Sequence, residues 1–300
     1  MIDDLSVLGT LFRRAITAVE AIPPWELREM DAPGVCPAPG ACISLKDRTL
    51  SIGAVDEPFT LMSAVKPFLL LYQIQQHGIN NVFQWVGRQA SKLPYYSLKQ
   101  LEHDQGIPRN AMLNSGAMLL AAKLPGDNPQ DQCARFQLWL RGLVPGAAFD
   151  EDLDCLGDLL QPGSDPINLQ LAQRLQRAGS IADAAAAYEV YFRTCCIKSS
   201  VKETAKLARH LAFHPQDAVL AEVLHQMEIA GLYEASADWW SRHPYPSKSG
   251  VSGIMFTINP GQGAAAVGSA WLDSGGNPIL GQLILPGMLD GSQYKEDWAN

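Results

Sequence analysis

Strand-like segments stand at both ends of this 300-residue chain, and nearly everything between them reads as helix. Near the start, residues 41–45 and 50–53 have strand character and are joined by Lys46-Asp47-Arg48, a hairpin spacing. After Pro246, residues 253–258, 264–270 and 278–285 read as strands, with turns at Asn259-Pro260-Gly261 and Ser274-Gly275-Gly276-Asn277. The stretch from Leu61 to Gly231 is helical, with 3.6-residue spacing over 111–123, 168–178, 181–195, 201–212 and 217–229. A first amphipathic helix over 6–20 is ended by Ile22-Pro23-Pro24. The pattern predicts an α/β fold in which one sheet is assembled from the two ends of the chain around a helical insert. The sheet lobe takes about 1–60 and 245–295, the helical lobe about 61–244, and a cleft lies where they meet. All 300 residues form one domain, since a chain of this length can bury a single core.

A formal net charge of -8 argues against nucleic acid or an anionic membrane surface as partner. No apolar run approaches the roughly 18 residues that a membrane-spanning helix needs. Asp3 and Asp4 stand where a secretory leader would carry positive charge, so the expected location is cytoplasmic. The six cysteines (Cys36, Cys42, Cys133, Cys155, Cys195, Cys196) show no C-x-x-C spacing, which points to reduced, buried thiols rather than zinc ligands or disulfides.

The chemistry concentrates at Phe59-Thr60-Leu61-Met62-Ser63-Ala64-Val65-Lys66-Pro67-Phe68. Proline is tolerated only in a helix's first turn, so Pro67 places Ser63 near a helix N-terminus. Ser63 and Lys66 are three residues apart and share a helix face. A serine hydroxyl needs a base to become a nucleophile, and a lysine can be that base when burial lowers its pKa. Spacing alone is weak evidence, because Ser199-Ser200-Val201-Lys202 contains the same S-x-x-K pattern. The second element is Lys248-Ser249-Gly250, leading into the 253–258 strand, since penicillin-recognising enzymes pair S-x-x-K with K-[ST]-G in one cleft.

From about Ile22 to Leu289 the chain resembles the serine-dependent glutaminases, through six motifs in order. They are the Ser63 helix; Asn110-Ala111-Met112-Leu113-Asn114-Ser115-Gly116-Ala117; Tyr191-Phe192-Arg193-Thr194-Cys195-Cys196-Ile197; Gly231-Leu232-Tyr233-Glu234-Ala235-Ser236; Lys248-Ser249-Gly250-Val251-Ser252-Gly253; and Leu272-Asp273 to Gly281. The resemblance implies a β-lactamase-like fold, with an antiparallel sheet, flanking helices and a helical lobe. It also implies hydrolysis of L-glutamine to glutamate and ammonia with no metal or organic cofactor, and a homo-oligomer, dimer or tetramer. Ser63 would form a glutamyl ester, Lys66 would take its proton, and Tyr233 would relay a proton to the leaving nitrogen or polarise the attacking group. Backbone N–H groups of Ser63 and Val251 would form the oxyanion hole, where one donor is worth about 3–4 kcal/mol. Asn114, Asn168 and Tyr191 would hold the amino-acid end of the substrate.

Three positions depart from the family pattern. Ala21 precedes Ile22-Pro23 where the family has a tyrosine, Gln161 stands at the position of a substrate-binding glutamate, and Ile167 replaces an arginine before Asn168. An amide at 161 lacks the charge that would pair with a substrate ammonium, an interaction of about 1.5–3 kcal/mol. The favoured reading is a divergent glutaminase. The alternatives are a serine amidohydrolase of another amide and a non-catalytic glutamine-binding relative. Bland roles are also open: Asn168 as a helix N-cap, Tyr191 as a core aromatic, and Trp239-Trp240 packing a lid or an interface.

Overall fold

The computed structural model describes residues 1–23, 26–29, 34–214 and 217–290; Pro24 and the 291–295 end of the expected sheet lobe lie outside them. A five-stranded sheet is indeed drawn from both ends of the chain. Its strands are β2 (Gly40–Leu45), β3 (Thr49–Gly53), β6 (Ser247–Gly250), β7 (Ile254–Asn259) and β8 (Gly263–Gly268). They run in the order β3-β2-β8-β7-β6, antiparallel throughout. The seam between early and late sequence is the β2–β8 ladder, where Cys42 lies opposite Ala266. Two short pairs complete the strands: β1 (Arg28–Glu29) with β9 (Trp271–Leu272), and β4 (Phe59–Thr60) with β5 (Lys198–Ser199).

Alternation along the strands gives the sheet two buried faces. Ala41, Ile43, Met255, Ala265 and Val267 pack against helices α1 (Leu5–Glu20) and α13 (Ile279–Asp290). Their neighbours Cys42, Phe256, Ala264 and Ala266 belong to the main core, which extends without a break into the helical lobe. Helix α10 (Val201–Arg209) covers that face, lying along β2 and β8. Ser200 begins it with a capping box: its hydroxyl accepts the Glu203 N–H, and the Glu203 carboxylate accepts the Ser200 N–H. Among the described residues no helix is long and apolar enough to cross a membrane.

Residues 279–285 belong to helix α13, not to the expected 278–285 strand, and only Pro278 keeps an isolated antiparallel bridge, to Leu272. Leu280, Ile284, Leu285, Met288 and Leu289 are buried at helical spacing. The run is apolar on every side, so its periodicity cannot separate a buried strand from a buried helix. What decides is the partner: a Cβ on Gly281 would stand 2.9 Å from the Met255 Cβ, a close approach of helix to sheet. Trp239 packs into the α1–α13 side of the core and donates its indole N–H to the Tyr245 carbonyl, while Trp240 beside it is half-buried.

The helical lobe supplies the elements that position the site. Helix α2 (Lys66–His77) follows a 3-10 turn at Met62–Val65, and α5 (Asn114–Ala122) begins three residues later than the apolar spacing suggested. The intervening loop is held by Asn110, whose side-chain oxygen accepts the Met112 and Leu113 N–H groups. Helices α7 (Leu153–Leu160), α8 (Pro166–Arg177) and α9 (Ala184–Cys195) wall the other side, and α3 (Ile79–Trp85), α4 (Leu98–His103), α6 (Pro129–Leu143), α11 (Ala218–Ala230) and α12 (Ser236–Arg242) complete the helices of the described residues.

Candidate active site

Ser63 lies in the 3-10 turn, its side chain almost fully buried, on the wall of a cavity of about 420 Å³. Met62 just before it has φ of +45°, a left-handed conformation that an L side chain adopts at a cost. Strain of this kind persists where the surroundings enforce it, and it clusters at functional sites. Gly250 at the end of β6 lets the strand come close: a Cβ there would stand 2.8 Å from the Leu61 carbonyl oxygen and 3.3 Å from the Ala64 nitrogen. Val251 therefore follows directly beside the turn that carries Ser63, and both line the cavity.

Lys66 is fully buried behind Ser63. Its ammonium donates to the Met112 carbonyl at 2.9 Å and to Asn114 Oδ1 at 2.7 Å, which leaves one of its three donors uncommitted. The side chain is thus braced by the Asn110–Asn114 loop. Burial pushes Lys66 down to about 8, opposed by the nearby Cys195. That is the range in which a lysine can exchange a proton at neutral pH.

Tyr233 occupies the opposite side, with φ of +56° and its phenol buried. Its hydroxyl donates to the Ser249 carbonyl at 3.4 Å, and Ser63 is close enough to favour its ionised form against the effect of burial. Burial raises its pKa, so it enters any reaction protonated, as a donor. Its ring packs 4.3 Å from Tyr95, and the Lys248 nitrogen sits 4.5 Å from the ring centroid. Lys248 is held by the Gly231 and Ser249 carbonyls at 2.8 and 2.7 Å, and burial drives its pKa well below the ordinary lysine value. The K-S-G lysine thus ties β6 to the turn bearing the phenol.

Asn114, Asn168 and Tyr191 all line the cavity. Asn168 is not the N-cap of α8; Asp165 is, its side chain accepting the Asn168 N–H at 2.9 Å. That frees the Asn168 amide oxygen to accept from Asn114 Nδ2 at 3.0 Å. Of the eight candidate residues, five (Ser63, Asn114, Asn168, Tyr191 and Val251) line the cavity, Lys66 and Tyr233 are buried behind it, and Gln161 does neither. It is exposed, caps the end of α7, and donates its amide to Asp158 at 3.2 Å rather than facing the cavity. Ala21 ends α1 on the surface, whereas Ile167 does line the cavity.

Several cavity residues were not anticipated from the sequence: Tyr95, Tyr96, Asp158, Asp165 and Cys195. The tyrosine pair stands in a Pro-rich loop with no periodic signal, and the aspartates resemble ordinary helix-end acids. The two carboxylates put negative charge on the wall near position 161. Gln161→Glu is therefore expected to give no gain in glutamine affinity, because the new carboxylate would be exposed, repelled by Asp158 and not part of the cavity lining. Steady-state KM values for the two proteins check this.

An antiparallel sheet joined from both chain ends, with a serine and a lysine at the base of a helical lobe, defines the β-lactamase-like class. Within that class, the glutaminase family model matches residues 35–294. A glutaminase of Synechocystis sp. is 37% identical over 239 residues, 78% of this chain and 72% of that protein. One from Azorhizobium caulinodans is 30% identical over 257 residues, 82% of each. A solved structure titled probable glutaminase ybaS superposes with a TM-score of 0.84 at 25% identity, covering 95% of this chain and 96% of that one. A Bacillus subtilis structure with a similar title reaches 0.81 at 21% identity over 95% and 94% of the two chains, a likeness of fold. The chain belongs to the glutaminase family.

Proposed function

We propose that the protein hydrolyses the side-chain carboxamide of L-glutamine through an ester on Ser63. The observation that carries this reading is a cavity lined by Ser63, Val251, Asn114, Asn168 and Tyr191, with the buried Lys66 bonded to Asn114 and the buried phenol of Tyr233 bonded to the Ser249 carbonyl just behind its wall. Neutral Lys66 takes the Ser63 proton as Oγ attacks the amide carbon. The developing oxyanion is held by the Ser63 and Val251 N–H groups. A proton then passes by way of Tyr233 to the nitrogen, the C–N bond breaks, and ammonia departs. Water attacks the ester with the same groups reversing their roles, returning Ser63 and releasing glutamate. No step calls on a metal or an organic cofactor.

The test is ammonia release from millimolar L-glutamine, with Ser63→Ala in parallel. Release by both proteins, or by neither, rejects the reading. A base whose ordinary pKa is lowered to about 8 also sets the pH dependence. Only uncharged Lys66 can accept the serine proton, so kcat/KM is expected to rise with pH and level off above about 8. A pH–rate profile that is flat between about 6 and 9 would exclude Lys66 as the base.

The same reading takes residues 1–300 as one catalytic domain, supported by a core that runs from the sheet into the helical lobe. A cytoplasmic location is supported by six buried free cysteines, which suit a reducing compartment. Assembly into a dimer or tetramer follows from the family resemblance, and light scattering tests it.

A further inference from the structure

A single line of hydrogen bonds runs from the buried lysine to the cavity rim. Lys66 Nζ donates to Asn114 Oδ1 at 2.7 Å, Asn114 Nδ2 donates to Asn168 Oδ1 at 3.0 Å, and Asn168 Nδ2 donates to Asp165 Oδ2 at 2.6 Å. Lys66, Asn114 and Asn168 are buried, with exposures of 0%, 5% and 5%. Each asparagine amide can turn over and exchange its donor for its acceptor, so neither has a direction of its own. The ends do have one. A charged lysine can only donate, and a carboxylate can only accept.

We propose that Asp165 is a positioning residue that fixes the polarity of this line and so keeps the Asn114 oxygen turned toward Lys66. The proposal rests on the reading of Lys66 as the base, but it concerns a residue that need not touch the reacting atoms. Asp165 is tied down for this role by a second bond, from the Asn168 N–H to its Oδ1 at 2.9 Å. With one oxygen on the backbone and the other on the side chain of the same residue, it can hold only one orientation of the Asn168 amide.

The consequence of losing the carboxylate can be followed link by link. Asp165→Asn keeps an oxygen for the helix cap, a position where Asn serves as well as Asp, so α8 stays formed. The remaining NH₂ group then faces Asn168 Nδ2, donor against donor. Turning Asn168 over moves the conflict to Asn114, and turning Asn114 over moves it to Lys66. There the conflict disappears if the lysine is uncharged, because its lone pair can accept from the Asn114 NH₂. The variant therefore favours neutral Lys66, and the loss of the Asp165 charge acts in the same direction.

The other groups bearing on Lys66 stay in place. Cys195 of α9 interacts with it electrostatically, as does Lys248 of β6, and the Tyr95 ring centroid lies 5.9 Å from its nitrogen. Around Asp165, Tyr188 and Tyr191 of α9 are the titratable neighbours, and burial raises the pKa of both.

The experiment follows Lys66 itself, by NMR titration of the ε-carbon in protein labelled with ¹³C-lysine, the signal being assigned by its loss in Lys66→Arg. The midpoint is expected to fall by about one to two pH units in Asp165→Asn, the span set by losing one charge-assisted hydrogen bond. Asp165→Ser also caps the helix without an acceptor-only group and gives a fall in the same direction. In the double variant Asp165→Asn with Asn168→Asp, an acceptor-only group stands again at the third link, and the midpoint returns to the native value or above. A midpoint in Asp165→Asn within about 0.3 units of the native one overturns the proposal, as does a fall that the double variant leaves unrepaired. The pH–rate profile of Asp165→Asn should move its rising limb down by the same amount. A shifted Lys66 titration without ammonia release from glutamine in the native protein would keep the polarity argument and reject the substrate.

Discussion

Ser63→Ala lowers glutamine hydrolysis by at least about 10⁴-fold, Lys66→Ala lowers it by a comparable factor, and the double variant is no slower than the worse single one. The expectation follows from how the two side chains divide one step. Ser63 is almost fully buried on the cavity wall, and Lys66 behind it is fully buried and braced by Met112 and Asn114. Without the hydroxyl there is no ester. Without the amine, the hydroxyl keeps its proton at neutral pH. Groups that act as a unit are non-additive, so removing the second after the first costs nothing more. Residual activity comes from the oxyanion donors and from binding alone, which is why the loss is large rather than total. Stopped ammonia assays over hours have the range to see it. Additive losses, with the double variant slower by the product of the two, would show that serine and lysine act in separate steps.

Gly231→Ala is expected to produce the largest loss of stability of any single methyl addition at a negative-φ glycine. Gly231 ends helix α11 (Ala218–Ala230), and its backbone needs no left-handed conformation, with φ of -72°. The obstacle is space. A Cβ would stand 1.9 Å from the Ser247 carbonyl oxygen in β6 and 2.5 Å from the Met227 carbonyl oxygen. Both are backbone atoms, so no side chain can swing aside. Separating α11 from β6 also pulls the Gly231 carbonyl from Lys248, a buried lysine with 2.8 Å contact to it. Overpacking of this kind costs about 3 kcal/mol, which for a chain of this size lowers Tm by roughly 5 °C or more. Activity falls as well, because Tyr233 lies two residues further on. Gly142→Ala and Gly157→Ala serve as controls: a Cβ at either meets nothing within 4 Å. Both are helical, so each is expected to be neutral or stabilising by up to about 1 kcal/mol. A Gly231→Ala protein with native Tm and native kcat would refute the packing argument.

Much of the site was readable in the chain because its chemistry is local. Ser63 and Lys66 sit within one helical turn, and Pro67 marks where that turn lies. The motif around Asn110 and Asn114 is likewise a short-range device, since the Asn110 side chain caps its own loop. Positions whose role depends on which face a loop turns were not readable. Gln161 occupies the place expected of a substrate ligand, but its side chain is exposed, bonds to Asp158 and does not line the cavity. Asp165 was indistinguishable from a helix-starting acid, and it is one; only the fold shows that its other oxygen meets Asn168.

The sequence by itself determined that strands from the two ends make one sheet, that a helical lobe lies between them, and that Ser63 and Lys66 share a turn. Those follow from periodicity and from proline geometry, which act over a few residues. The tertiary structure alone decided that residues 279–285 are helix, that the Tyr233 phenol meets the Ser249 carbonyl of the K-S-G strand, and that Asn114, Asn168 and Asp165 form one line from Lys66. An apolar run has no preferred partner until the sheet beside it exists, and the rotatable amides of Asn114 and Asn168 have no direction until a buried lysine and a carboxylate are fixed at the two ends.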